Sequence, residues 1–386
     1  MAQHSATVSR LFRSFFRIGL TAFGGPAMIA HIGETAVKRG KWLDQETFKR
    51  GVALSQSLPG ATAMQVAAYV GLKAGGLAGA LAAFTGFGLP AFLLMAALSS
   101  LYAGSRELPW VVSIFGGLQV IVVAIVGHAV FLFGRPLLRN GRDIFLATAS
   151  AAAFFLSVSP FLVIISAALA GVGIARSGAA IPAAPPSKIR LIVIGRLVAP
   201  LLAAIGAGMG ILYLVKPDLF GMALLMMKVD LFAFGGGFAS LPLMLDEIVH
   251  VRGWMDSRTF MDGIALGQIT PGPIVITATF VGYLVYGFVG AAVATVAIFT
   301  PSFVLLVIAA PLLDILVRSH RFKNAVAGIL ASFLGLLLFV VVTFAVAVPW
   351  DVARILLAAA SLLALLGGID ILFIVLAGAA AALLIF

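Results

Sequence analysis

Apolar residues run through this chain in stretches of helical length, near 12–36, 48–73, 75–102, 109–134, 143–158 and 160–176, and a second set of similar spacing follows after about residue 215. Alternation in segments of about ten would mark a transmembrane barrel, whereas continuous stretches mark transmembrane helices. Two stretches are interrupted by polar residues and helix breakers. Residues 54–63 read LSQSLPGATA and residues 266–275 read LGQITPGPIV, each placing a glutamine, a proline and a glycine within an apolar segment. The pattern predicts helices that stop and restart.

The interruption recurs because the chain is duplicated. A shift of about 211 residues lays Ala22-Phe23-Gly24-Gly25 on Ala233-Phe234-Gly235-Gly236, and WLDQETFKRGVALSQSLPG (42–60) on WMDSRTFMDGIALGQITPG (254–272). Val70-Gly71, Gly76, Gly79 and Pro90 then fall on Val281-Gly282, Gly287, Gly290 and Pro301. So many ordered matches define a repeat. The expected division is an N-terminal repeat over 1–180, a linker and connecting helix over 181–214, and a C-terminal repeat over 215–386. An even number of segments per repeat plus one connecting span puts the second copy in the membrane upside down. The expected fold is therefore an all-α polytopic membrane protein of two inverted repeats with broken or re-entrant helices.

Composition agrees. Of 386 residues 62% are hydrophobic and only 10% charged, against about 25% charged in soluble domains. The net charge of +11 sits in loops between apolar segments, where the positive-inside rule places it, so no nucleic-acid partner is expected. The 38–50 loop is basic and its counterpart carries Asp246, Glu247, Asp256 and Asp262, the reversal that inversion predicts. The clusters Arg135, Arg139 and Arg142, Arg176, Lys188 and Arg190, and Arg318, Arg321 and Lys323 then share the cytoplasmic side. The absence of cysteine removes thiolate chemistry, and five scattered histidines predict no metal site. No cofactor is expected. The N-terminus reads as mature protein, not a cleaved leader.

Paired breaks at matching positions of inverted repeats point to a transporter's binding site, since unpaired backbone survives at membrane depth only beside protein or a water-filled cavity. The candidate substrate-binding residues are Gly24, Gly25, Pro26, Gln56, Pro59, Gly60 and Gln65, with Gly235, Gly236, Gly237, Gln268, Pro271, Gly272 and Pro273. Half-helices starting there aim free N–H groups at an anion. Arg17 and Lys228, equivalent in the repeat, are candidate attracting cations, and Asp230 is expected to pair with Lys228. His31, Glu34 and Glu247 are candidates for proton relay if buried, and interfacial caps otherwise. Packing, interhelical bridging and snorkelling are the competing explanations for these residues.

FGGP (23–26) with His31, WLDQETF (42–48), the LPG with Gln65, FGGG (234–237) with LPL (241–243), Glu247, GW (253–254) and Gln268 to Pro273 together resemble the chromate transporter family across both halves. The resemblance implies an inner-membrane carrier that exports chromate, with sulfate as a related oxyanion. Where many relatives read PGP, Ala61 follows Pro59-Gly60 here. Expected partners are the oxyanion and the lipid bilayer, with a homodimer as the candidate assembly. The alternatives are an oxyanion channel of the same fold and an intramembrane enzyme acting on lipid phosphates. No P-loop pattern occurs, so ATP is not expected to drive transport.

Overall fold

The computed structural model describes residues 6–23, 25–137, 140–173, 188–313 and 319–386, with the backbone alone for 25–26 and 188–194. No strand occurs among them. The first repeat comprises α1 (Val8–Thr21), α2 (Gly25–Gly33) running into a π-turn (Glu34–Arg39), α3 (Gln45–Ser57), α4 (Thr62–Ser105), α5 (Pro109–Leu137), α6 (Gly141–Phe155) and α7 (Pro160–Gly173). Helix α8 (Lys188–Val215) connects, and is exposed along nearly all of its side-chain-resolved length. The second repeat follows as α9 (Pro217–Phe232), a 3-10 turn (Gly237–Ala239) with α10 (Ser240–Leu245) and a π-turn (Asp246–Val251), α11 (Ser257–Ile269), a 3-10 turn (Ile274–Ile276) with α12 (Thr277–Ala309), α13 (His320–Ala347), α14 (Val352–Leu366) and α15 (Ile371–Ile385). The linker at 177–187, with Arg139, Arg176 and Arg318, lies outside the described residues.

Local chemistry repeats along with the elements. Each π-turn ends where the N–H of a tryptophan bonds back six residues, Trp42 to Ala36 and Trp254 to Ile248, both at 2.9 Å. Two residues on, an aspartate caps the next helix: Asp44 accepts from Thr47 N and Asp256 from Thr259 N, both at 2.7 Å. Such a cap satisfies an N–H that the first helical turn leaves free.

Helices α4 and α12 are not straight. Non-helical backbone interrupts α4 at Gly75 and Gly76 (φ −148° and 63°) and α12 at Tyr286 and Gly287 (φ −135° and 64°). In a straight helix residues 71 and 79 are about 12 Å apart along the axis. Here a Cβ on Gly71 would lie 2.2 Å from the Gly79 carbonyl oxygen, and one on Gly282 2.3 Å from that of Gly290. Each helix therefore folds back on itself, and glycine at both contacts lets the backbones touch. The expected break between 48–73 and 75–102 is this fold-back. The long arms, 76–105 and 287–309, have the length to cross a bilayer. By contrast α1, at 14 residues, extends only about 21 Å, short of the roughly 30 Å hydrocarbon core.

The long arms show how the repeats are related. Phe84 packs on Phe303 and Phe299 (ring centroids 4.9 and 6.2 Å), and Phe92 on Phe288 (6.0 Å). Numbers rise along one arm as they fall along the other, so these equivalent helices run antiparallel and the repeats are inverted, as the segment count predicts. Each repeat also lends its last hairpin to the other. Gly171 and Ala167 of α7 meet Asn324 and Gly328 of α13, while Gly117 and Ile121 of α5 meet Ala382 and Gly378 of α15. Small residues let the helices approach closely, which matters because lipid supplies no hydrophobic drive between them. The result is one interlocked body.

Candidate functional site

The four predicted breaks form, and they cross. The N–H of Gly60 donates to the Ala233 carbonyl at 2.8 Å, and that of Gly272 donates to the Ala22 carbonyl at 3.2 Å. Gly60 and Gly272 are equivalent, as are Ala22 and Ala233, so the Pro-Gly break of each repeat is hydrogen-bonded to the Phe-Gly-Gly break of the other. The backbone is left-handed at Gly60 (φ 102°), Gly235 (102°), Gly236 (92°) and Gly272 (125°), a region L side chains rarely enter. Helical turns restart at Gly25, Thr62, Gly237 and Ile274. The 3-10 turn at Gly237 lies against Ile274 and Val275, and Gly236 faces Thr62, so Gly235 to Gly237 gather beside Pro271 to Pro273 and Pro59 to Gly60. Gly24 lies outside the described residues, and Gly25 and Pro26 are described as helical backbone only.

The glutamines separate. Gln65 is fully buried and donates from Nε2 to the Pro59 carbonyl at 2.6 Å, tying down the break. Gln268 is half-buried. Gln56 is exposed. Buried side-chain atoms without a hydrogen-bonding partner among the described residues include Ser55 Oγ, Gln65 Oε1, Asp230 Oδ1 and Gln268 Nε2. Buried polar groups are ordinarily paired. Four unpaired ones lie on the segments that form the crossing, where a polar solute or water would find hydrogen-bonding partners.

Asp230 corrects the expected pairing with Lys228. Residues two apart on a helix face different ways, and Asp230 points inward, fully buried, where Oδ2 accepts from Ser302 N at 2.7 Å and Ser302 Oγ at 2.6 Å. Its Oδ1 lies 2.7 Å from where a Cβ of Gly60 would be, and Ser302 Oγ lies 1.7 Å from it. Lys228 instead pairs with Glu247 at 2.6 Å, its ammonium 3.7 Å from the Phe161 ring centroid.

The conditional proton relay of His31 and Glu34 is also corrected. Both are exposed, and Glu34 pairs with Arg39 at 3.0 Å. Asp262, expected in a loop, is buried in α11, where it accepts from Tyr102 Oη and Gln119 Nε2, each at 2.8 Å. It bridges α11 to α4 and α5 of the other repeat. Its equivalent is Arg50, exposed and paired with Glu46 at 2.5 Å. Sequence reasoning missed Ser302, Tyr102, Gln119 and this use of Asp262. The available signal was an acidic residue within a helix-length apolar pattern.

Arg17 lies on the opposite flank. It lines a cavity of about 560 Å³ between α1 and the α2 π-turn, with Arg10, His31, Glu34 and Arg39.

Paired broken helices that meet across inverted repeats are the arrangement in which many membrane transport proteins place a solute site. The chain belongs to the chromate transporter family, whose pattern matches twice, over residues 9–172 and 220–383. It is 44% identical over 379 residues to an uncharacterized transporter of Methanocaldococcus jannaschii, covering 97% of this chain and 93% of that one. It is 30% identical over 355 residues to a chromate transport protein of Cupriavidus metallidurans (91% and 86%), and 30% identical over 339 residues to a probable chromate transport protein of Synechococcus elongatus (85% and 82%). No solved structure matches.

Proposed function

We propose that the protein is a secondary transporter that exports chromate, or a related tetrahedral oxyanion such as sulfate, across the cytoplasmic membrane. The observation that carries this reading is the crossed pair of hydrogen bonds, Gly60 to Ala233 and Gly272 to Ala22. Each joins a break in one repeat to a break in the other. A relative rocking of the repeats therefore strains both joints together, and alternating access needs such a two-sided element around a fixed site. Gly24, Gly25, Pro26, Pro59, Gly60, Gln65, Gly235, Gly236, Gly237, Gln268, Pro271, Gly272 and Pro273 are proposed to surround the anion, with backbone N–H groups as the main donors. Domain limits of 1–180, 181–214 and 215–386 are part of the same proposal.

Export needs no nucleotide. A dianion leaving a cell held at about 100 mV, inside negative, gains about 4.6 kcal/mol, from about 2.3 per charge, enough for a gradient of roughly a thousandfold. The relatives named for chromate transport support the choice of cargo. The test is flux of labelled chromate and sulfate into liposomes of purified protein under an imposed potential. Saturable flux with counterflow is expected. Folded protein moving neither anion ends the substrate claim, and unsaturable flux without counterflow makes it a channel.

A further inference from the structure

The first repeat carries a row of arginines that its copy lacks. Arg10, Arg13 and Arg17 are spaced three and four residues apart on α1, so they lie along one face of the helix, and all three are exposed. Arg10 and Arg17 line the cavity of about 560 Å³, and the same two with Arg13 line an adjoining one of about 340 Å³. The larger cavity holds one carboxylate, Glu34, already bound to Arg39. Among the described residues no carboxylate pairs with Arg10, Arg13 or Arg17, and Arg10 rests 6.0 Å from the Trp42 ring centroid. The larger cavity also reaches Thr21, next to Ala22, whose carbonyl takes the bond from Gly272. At the equivalent positions of α9 stand Gly221, Leu224 and Lys228, and Lys228 is neutralised by Glu247.

We propose that these two adjoining cavities form one docking site for a tetrahedral oxyanion, held by Arg10 and Arg17, which line both, with Arg13 in the smaller one, beside the crossing on one face of the protein only. The inference rests on the carrier reading and adds where the anion first lands. Guanidinium forks match the paired oxygens of sulfate, chromate or a phosphate ester. A cleft of one sign concentrates counter-ions and raises their rate of capture, an effect that salt suppresses. The counterpart flank has no such row, so the two faces of the carrier differ in anion capture although their backbones match. A phospholipid headgroup carries the same chemistry as a free oxyanion, and the test separates them.

The experiment compares wild type with the triple variant Arg10→Gln, Arg13→Gln, Arg17→Gln and with the charge-keeping triple lysine variant. Sulfate-induced thermal stabilisation in detergent is measured first, because it reads binding without transport. The glutamine variant should lose it and the lysine variant keep part of it. Initial sulfate flux is then measured in oriented liposomes, from each face in turn. At zero potential kcat/KM should fall at least tenfold and by the same factor in both directions, as a passive carrier requires, with the loss carried by KM from the face where α1 opens and by kcat, at a KM within twofold, from the other. An unchanged KM, or an equal rise on both faces, overturns the site. Wild-type flux that requires anionic lipid, with stabilisation by that lipid and none by free sulfate, overturns it in favour of a headgroup. Wild-type protein that binds sulfate through these arginines yet moves no anion overturns the carrier reading and leaves the site standing.

Discussion

Gly60 is the position where a single methyl group tests the crossing most severely. Its φ of 102° lies where an L residue is strained, which costs about 1–3 kcal/mol. The added Cβ would also lie 1.7 Å from Ser302 Oγ and 2.7 Å from Asp230 Oδ1. Neither atom can withdraw cheaply, because both side chains are buried and Asp230 is tied through its other oxygen, Oδ2, to Ser302 N and Oγ, and such overpacking costs typically about 1–3 kcal/mol more. Gly60→Ala should therefore lose about 2–6 kcal/mol. Three other glycines calibrate the figure. Gly76 and Gly287 have φ of 63° and 64° with ψ of −155° and −156° and nothing within 4 Å of the added atom, so their alanine variants should lose the backbone cost alone, about 1–3 kcal/mol. At Gly272, with φ of 125°, the Cβ meets the Ala91 methyl at 2.8 Å. There Ala91→Gly should recover the steric part of the loss. The assay is chemical denaturation in detergent, with anion flux beside it. If Gly60→Ala unfolds at the same denaturant concentration as Gly76→Ala, the crossing is looser than described and the argument from it fails.

Other outcomes follow from the same geometry. Asp230→Asn keeps the shape and removes an ionisable carboxyl from the crossing, so KM for a dianion should fall, and most at high pH where a carboxylate would repel the anion; an unchanged KM across pH places the anion elsewhere. Gln65→Leu leaves the Pro59 carbonyl buried and unpaired and should cost about 1–3 kcal/mol, whereas Gln56→Ala on the exposed face should leave both stability and flux unchanged. Gly328→Leu should separate α13 from α7, since even a Cβ there lies 2.2 Å from the Ala167 carbonyl, and should lower the midpoint of unfolding by more than Gly221→Leu, where the space is open. Bonds from Thr47 hold the Asp44 carboxyl below its usual 3.8. The cap therefore stabilises α3 above that value and is lost as pH falls through the depressed one, so the protection of amides at the start of α3, taken relative to their intrinsic exchange rates at each pH, should fall at low pH in wild type, and Asp44→Asn should blunt that pH dependence.

Much of the architecture was legible because it rests on patterns that survive duplication. A glycine or proline inside an apolar stretch has few uses in a bilayer, so Pro59-Gly60 and Pro271-Gly272 announced breaks, and their matching positions announced that the breaks belong together. What the sequence concealed is direction. Lys228 and Asp230 look like partners on paper, but two positions along a helix is more than half a turn, and each found its partner on another element. Asp262 looked like a loop charge because it follows Asp256 closely, yet it lies in the second turn of α11 and faces inward. The π-turns were invisible because an extra residue in a helical turn leaves no mark on composition. The exchange of terminal hairpins depends on glycines such as Gly171 and Gly328 meeting across 157 positions of chain, which no local periodicity encodes.

The two copies share their frame and differ in their charge. The cap, the π-turn, the fold-back and the joint of the crossing are each present twice. Asp230 with Ser302 stands opposite Gly19 with Ala91, and Gly19 has no room for a side chain, its Cβ falling 2.4 Å from the Phe87 carbonyl. Asp262 stands opposite Arg50, and the arginine row of α1 opposite a neutral stretch of α9. In the proposed carrier, a symmetric frame would make the outward and inward arrangements near-equivalent in packing. Unequal charge lets the two faces differ in how fast they capture an anion. In the proposed carrier it cannot set the direction of net transport, because a carrier with no energy source of its own keeps kcat/KM equal in the two directions at zero potential and moves solute only down its electrochemical gradient. On this reasoning the arginines tune the rate at low anion concentration, and the membrane potential decides the direction.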